Sequence, residues 1–94
     1  MKFTAPDPAS ALIQEALQRR SGGDNAAARA LLERAVEEAE SANARVQAYI
    51  ELGKVLDTLG KRQSAQSCFR RVMSLTDDWR FRDEARKLFR RRIK

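Results

Sequence analysis

Apolar residues recur at intervals of three, four and seven through most of the chain, and the spacing predicts five amphipathic helices with short breaks between them. Asp7 and Pro8 open the first, because a carboxylate can accept orphan backbone N–H groups and a proline at the first helical position loses no hydrogen bond. Its stripe is Leu12, Ile13, Ala16 and Leu17. It ends at Arg19, Arg20, Ser21, Gly22 and Gly23, with cations near the negative helix terminus and glycine available for a left-handed turn. Asp24 opens a second helix carrying Ala28, Leu31, Leu32, Ala35, Val36 and Ala39, with Arg29, Glu33, Arg34, Glu37 and Glu38 on its other faces. Ser41 or Asn43 caps a third, striped by Val46, Tyr49, Ile50, Gly53, Leu56 and Leu59 and stopped by Gly60. The fourth runs from Arg62 to Leu75 with Ala65, Cys68, Phe69, Val72 and Met73 inward. Thr76, Asp77 and Asp78 break the chain before a fifth built on Phe81, Ala85, Leu88 and Phe89.

Helices joined by two to five residues pack as antiparallel neighbours, which raises the question of whether the pairs repeat. Sliding the sequence by 37 positions places Gly23 on Gly60, Ala28 on Ala65, Leu32 on Phe69 and Ala35 on Val72, while Leu12 falls on Tyr49 and Ala16 on Gly53. Spacing is kept between the halves although identity is low.

The run Tyr49, Leu52, Gly53, Leu56, Gly60, Ala65, Phe69 resembles the tetratricopeptide repeat, whose large, small and aromatic positions recur over 34 residues. On this register the second repeat is residues 46–79. The first, residues 9–42, matches at Leu12, Ala16, Gly23, Ala28, Leu32 and Ala35, with Glu15 and Arg19 where the family prefers apolar residues. Val72 replaces the usual alanine, and Glu40 and Asp77 stand where each repeat would close on proline. Three extra residues near Ser41 to Ala44 lengthen a helix or a loop. The resemblance implies an all-α, right-handed α-solenoid of five helices in antiparallel pairs. Residues 1–8 are then an extension, residues 9–94 one domain, and residues 80–94 a basic helix that closes the array. Each helix pair has an apolar face it cannot bury alone, so stacking completes the core.

The same resemblance implies a non-catalytic protein-binding module with a concave groove lined by the first helix of each pair. Its groove-facing candidates are Gln14 and Leu17 from the first repeat and Gln47, Ile50, Glu51, Lys54 and Asp57 from the second. An extended peptide or helix of another protein is the expected occupant. One subgroup of the family clamps a C-terminal carboxylate with lysine, asparagine and arginine. Here Ile13 and Leu17 stand at two of those places and Glu51 at a third, so that mode of docking is not expected.

Composition sharpens this picture. A chain of 94 residues, 43% apolar and 34% charged, is too hydrophobic for disorder and holds one small core. The net charge of +6 is unevenly placed: residues 1–79 hold 11 cations and 11 carboxylates, whereas residues 80–94 hold 8 and 2. Arg82, Arg86, Lys87, Arg90, Arg91 and Lys94 fall around the polar side of the fifth helix. This gives the second functional reading, a charge-driven adaptor whose basic helix binds nucleic acid or another polyanion. The competing explanation is a soluble end face, with cations favoured in a last helical turn.

The remaining chemistry is sparse. Cys68 is the only cysteine and there is no histidine, so one chain can form neither an internal disulfide nor a Cys/His zinc site, and no metal or cofactor is expected. Cys68 lies on the inward stripe and reads as a small buried hydrophobe, and Tyr49 and Trp79 read as core or joint residues. The acidic residues of the second helix alternate with arginines at i, i+4 spacing, and Gly22 and Gly23 lack the lysine of a phosphate-binding loop, so catalysis is not expected. The first residues contain no apolar leader and no stretch approaches the roughly 18 apolar residues of a membrane span. A cytoplasmic protein without an anchor is expected, with self-association through an end helix as a further expectation.

Overall fold

The structure, a computed structural model, describes residues 7–90, which form five α-helices and no strand. These are α1 (Pro8–Ser21), α2 (Asn25–Glu38), α3 (Ala42–Thr58), α4 (Arg62–Leu75) and α5 (Trp79–Arg90). Four of the five starts are capped by a side chain: Asp7, Asp24 and Ser41 accept the backbone N–H groups of Ala9, Ala27 and Ala44, and Asp78 accepts that of Arg80, whereas α4 starts after Lys61 with no side-chain cap. The aspartate capping α5 is held ionised below the usual carboxylate range, chiefly by the Arg80 side chain. The stop signals also act as the sequence implies. At the end of α1 the N–H of Gly23 bonds the carbonyl of Arg20 and that of Asp24 bonds Arg19. At the end of α3 the N–H of Gly60 bonds Asp57 and that of Lys61 bonds Leu56. The two turns superpose at a shift of 37, and both pivot on a glycine with positive φ, 87° and 80°.

α2 and α4 also superpose at this shift from first residue to last. α3, however, begins three residues earlier than α1 would require. The three extra residues between the repeats therefore extend a helix rather than a loop.

Consecutive helices pack against one another, and in addition α1 meets α3 and α3 meets α5. The backbones of α2 and α4 do not come together. α1, α3 and α5 thus form an inner row and α2 and α4 an outer one, the arrangement of a stacked array rather than a closed bundle. The core between the rows is apolar throughout the described residues, with Phe69, Leu32, Val46, Val55 and Val72 its largest fully enclosed side chains. Ala16, Ala28, Ala35, Ala48 and Ala65 let the helices approach closely. α5 contributes Ala85, fully buried, and leans Phe81, Leu88 and Phe89 on the rest.

Asp7 and Pro8, placed above in a terminal extension, belong to the folded unit. The Asp7 carboxylate caps α1 through Oδ1 and with Oδ2 accepts the N–H groups of Glu40 (3.0 Å) and Ser41 (2.8 Å), tying the start of α1 to the junction between α2 and α3. The N–H of Ala9, helped by those of Ser41 and Glu40, holds the Asp7 carboxyl below its ordinary range. A pKa depressed in the folded state stabilises the fold above the unfolded value of about 3.9, and this stabilisation is lost as pH falls through the folded value. Asp7→Ala is therefore expected to lower the melting temperature at pH 7 and to flatten its decline between pH 5 and pH 3. Thermal melts by circular dichroism across that range test this, and parallel curves for the two proteins would contradict it.

Candidate partner-binding groove

The inner row presents a chain of alternating charges across three helices. Arg20, at the end of α1, places Nη1 2.9 Å from Oε2 of Glu51 on α3. Glu51 Oε1 lies 3.3 Å from Lys54 Nζ, which is also 3.3 Å from Oε2 of Glu84 on α5. The Glu51 side chain is only 17% exposed, but Arg20, Lys54 and Glu84 retain a third to a half of their surface. Ion pairs this wet contribute on the order of 0 to 1 kcal/mol each, so their main effect is on the field. Two cations and two carboxylates leave the middle of the row close to neutral.

The sequence candidates for the groove divide into three groups. Gln14 and Gln47 are exposed on α1 and α3, and Glu51 and Lys54 sit within the charged chain. Leu17 is half-buried and packs against the core. Ile50 is 2% exposed and belongs to the core, and Asp57 is engaged elsewhere. Both oxygens of Asp57 accept from Nη1 of Arg62, at 3.0 and 2.8 Å, with the Asp57 side chain 6% exposed. Arg62 Nη2 reaches on to the carbonyls of Leu88 and Phe89, and Gln66 Nε2 donates to Phe89 as well. Asp57 therefore works, through Arg62, as an anchor for the last described turn of α5.

Arg20 and Glu84 were not anticipated on this face. Both partners of the α3 pair lie 30 or more positions away in sequence, and local periodicity carries no trace of such a pairing. Only the side-by-side placement of α1, α3 and α5 reveals it.

The basic helix is less free than its composition implies. Arg82 is half-buried and donates to the carbonyl of Met73, with Asp77 at 3.9 Å. Lys87 pairs with Asp83 at 3.1 Å. Arg86 and Arg90 are exposed and make no ion pair among the described residues, and Arg91 lies outside them. Trp79, expected in the core or at a joint, is 74% exposed as the first residue of α5. Its place directly after the Asp78 cap points it away from the packed side, whereas Tyr49 does pack against the core. Burial pushes the Cys68 thiol up to about 11, with Glu33 adding to the effect, which keeps it protonated at neutral pH. No helix among the described residues is long and apolar enough to cross a membrane.

Antiparallel helix pairs stacked into an inner and an outer row define an α-solenoid of the repeat type. Residues 46–78, which cover most of α3, all of α4 and the turn between them, match the family model of the tetratricopeptide repeat. The tetratricopeptide repeat is a protein-interaction module. No curated protein and no solved structure matches the chain.

Proposed function

We propose that this protein is a non-catalytic, cytoplasmic interaction module that holds a peptide or helix of a partner protein against the inner row of α1, α3 and α5. The observation that carries this reading is the near-neutral charged chain Arg20, Glu51, Lys54, Glu84 across α1, α3 and α5, with the amides of Gln14 on α1 and Gln47 on α3 exposed to solvent. Amides and balanced ion pairs offer donors and acceptors in both directions, which suits the backbone of a segment without strong net charge. Ile50 and Asp57 are left out of the contact surface, because one is core and the other anchors α5.

The test is affinity capture of partners from the native host, followed by binding measurements on the recovered segment. Gln47→Ala combined with Lys54→Ala is expected to weaken binding by about tenfold or more, equivalent to about 1.4 kcal/mol. Both positions are solvent-accessible, so the melting temperature should barely change. Unchanged affinity in the double variant would overturn the groove reading.

A further inference from the structure

The outer face of α4 carries a shallow depression of about 390 Å³ lined by Ser67, Arg70, Arg71, Ser74 and Leu75. Leu75 is 38% exposed there, and neither arginine has an ion-pair partner among the described residues. Arg70 instead rests its guanidinium 5.5 Å from the ring centre of Phe89, which fixes the charge in place.

The first repeat supplies an internal comparison. At a shift of 37 the lining positions become Ala30, Glu33, Arg34, Glu37 and Glu38 on α2. There the face neutralises itself: Arg29 pairs with Glu33 at 3.7 Å and Arg34 with Glu38 at 3.3 Å. On α4 the three carboxylates are replaced by Arg70, Ser74 and Leu75, and Arg29 by Gln66. One register position after another, the acids that would close the face are gone, and an apolar edge has been added. Arg86 and Arg90 on α5 likewise make no ion pair among the described residues. Residues 61–94 contain twelve cations against four carboxylates.

We propose that this face of α4 is a second docking surface, and that its occupant is an acidic segment of a partner protein carrying apolar side chains among its carboxylates. The arginines supply charge complementarity, the two serines supply hydroxyls, and Leu75 supplies a contact that a purely ionic ligand leaves unused. A phosphate backbone matches the charge but not the leucine, and no aromatic side chain lines the depression for base stacking. A second copy of this chain is disfavoured by the +6 each copy carries. This surface is independent of the inner row.

The test is fluorescence anisotropy on the full chain with a labelled peptide of repeated Glu-Glu-Leu units, compared with oligoglutamate and single-stranded oligothymidine of equal charge. The Glu-Glu-Leu peptide is expected to bind at least about tenfold more tightly than either control at physiological salt. Arg71→Gln and Leu75→Ser should each weaken it several-fold, and Arg70→Gln with Arg71→Gln by about tenfold or more. Arg29→Gln with Arg34→Gln, the matching change on α2, should leave it unaltered. Melting curves of Arg71→Gln and Leu75→Ser, which do not touch the Phe89 contact, keep loss of binding separate from loss of fold. Absence of binding, equal binding of either control, indifference to the α4 substitutions, or a concentration-dependent dimer abolished by them would each overturn the proposal.

Discussion

Gly53→Ala is expected to destabilise the protein by about 2 kcal/mol, against the ordinary preference for alanine in a helix. In an open helical position the change would stabilise by about 1 kcal/mol. Here a methyl group on Gly53 would fall 2.7 Å from Cζ and 2.9 Å from Cδ1 of Phe69, nearer still to Cε1. Phe69 is fully buried, so the ring has nowhere to retreat, and overpacking of this kind typically costs about 1 to 3 kcal/mol. For a domain of this size each kcal/mol moves the midpoint by about 4 to 8 °C, well within reach of a thermal melt. The first helix pair indicates the remedy: at a shift of 37 it has Ala16 where α3 has Gly53, and Leu32 where α4 has Phe69. The small residue and the ring are matched choices. Gly53→Ala placed in a Phe69→Leu background should therefore cost much less than it does alone, and a double-mutant cycle measures that coupling. Additive effects would contradict the packing account.

The second large effect is expected at Asp57. Asp57→Ala removes the carboxylate that accepts twice from Arg62, while Arg62 goes on to hold the last carbonyls of α5. Truncating one partner of a buried pair costs about 3 to 5 kcal/mol, and the 26% exposure of Arg62 lowers this, so about 2 to 3 kcal/mol is expected. The loss should be local before it is global. Hydrogen exchange is expected to accelerate in the amides of α5 first, because that helix rests on the stack mainly through Ala85, its half-buried apolar residues and this anchor. Equal acceleration in α1 and α5 would show that Asp57 is not the fastening of the last helix.

Much of this fold was legible from residue spacing. Aspartates and a serine before α1, α2, α3 and α5, glycines after α1 and α3, and the shift of 37 set the elements, because capping and turn formation depend on residues close in sequence. The candidate groove was harder to read. Ile50 and Asp57 occupy one turn-spaced side of α3 with Lys54, yet one enters the core and the other turns to Arg62; that choice is made by neighbouring helices, not by α3. The pairing of Glu51 with Arg20 and of Lys54 with Glu84 has the same long-range origin. Charge was misplaced for a related reason. Counting assigns the surplus to the last fifteen residues, but pairing decides which cations are available, and Arg70 and Arg71 on α4 stand beside Arg86 and Arg90 in that respect. Trp79 stands at the joint into α5, one of the two places its sequence position allows, but outside the core, because a hinge position does not fix which way the side chain faces.

The most direct measurement is a two-dimensional amide NMR titration of the isotopically labelled chain with the partner segment recovered by affinity capture. Shift changes concentrated on the inner row, at Gln14, Gln47, Glu51 and Lys54 and at the adjoining turns of α1 and α5, are the expected result. Changes confined to the outer faces of α2 and α4, or to the exposed arginines of α5, would contradict the claim that the module works through its inner row.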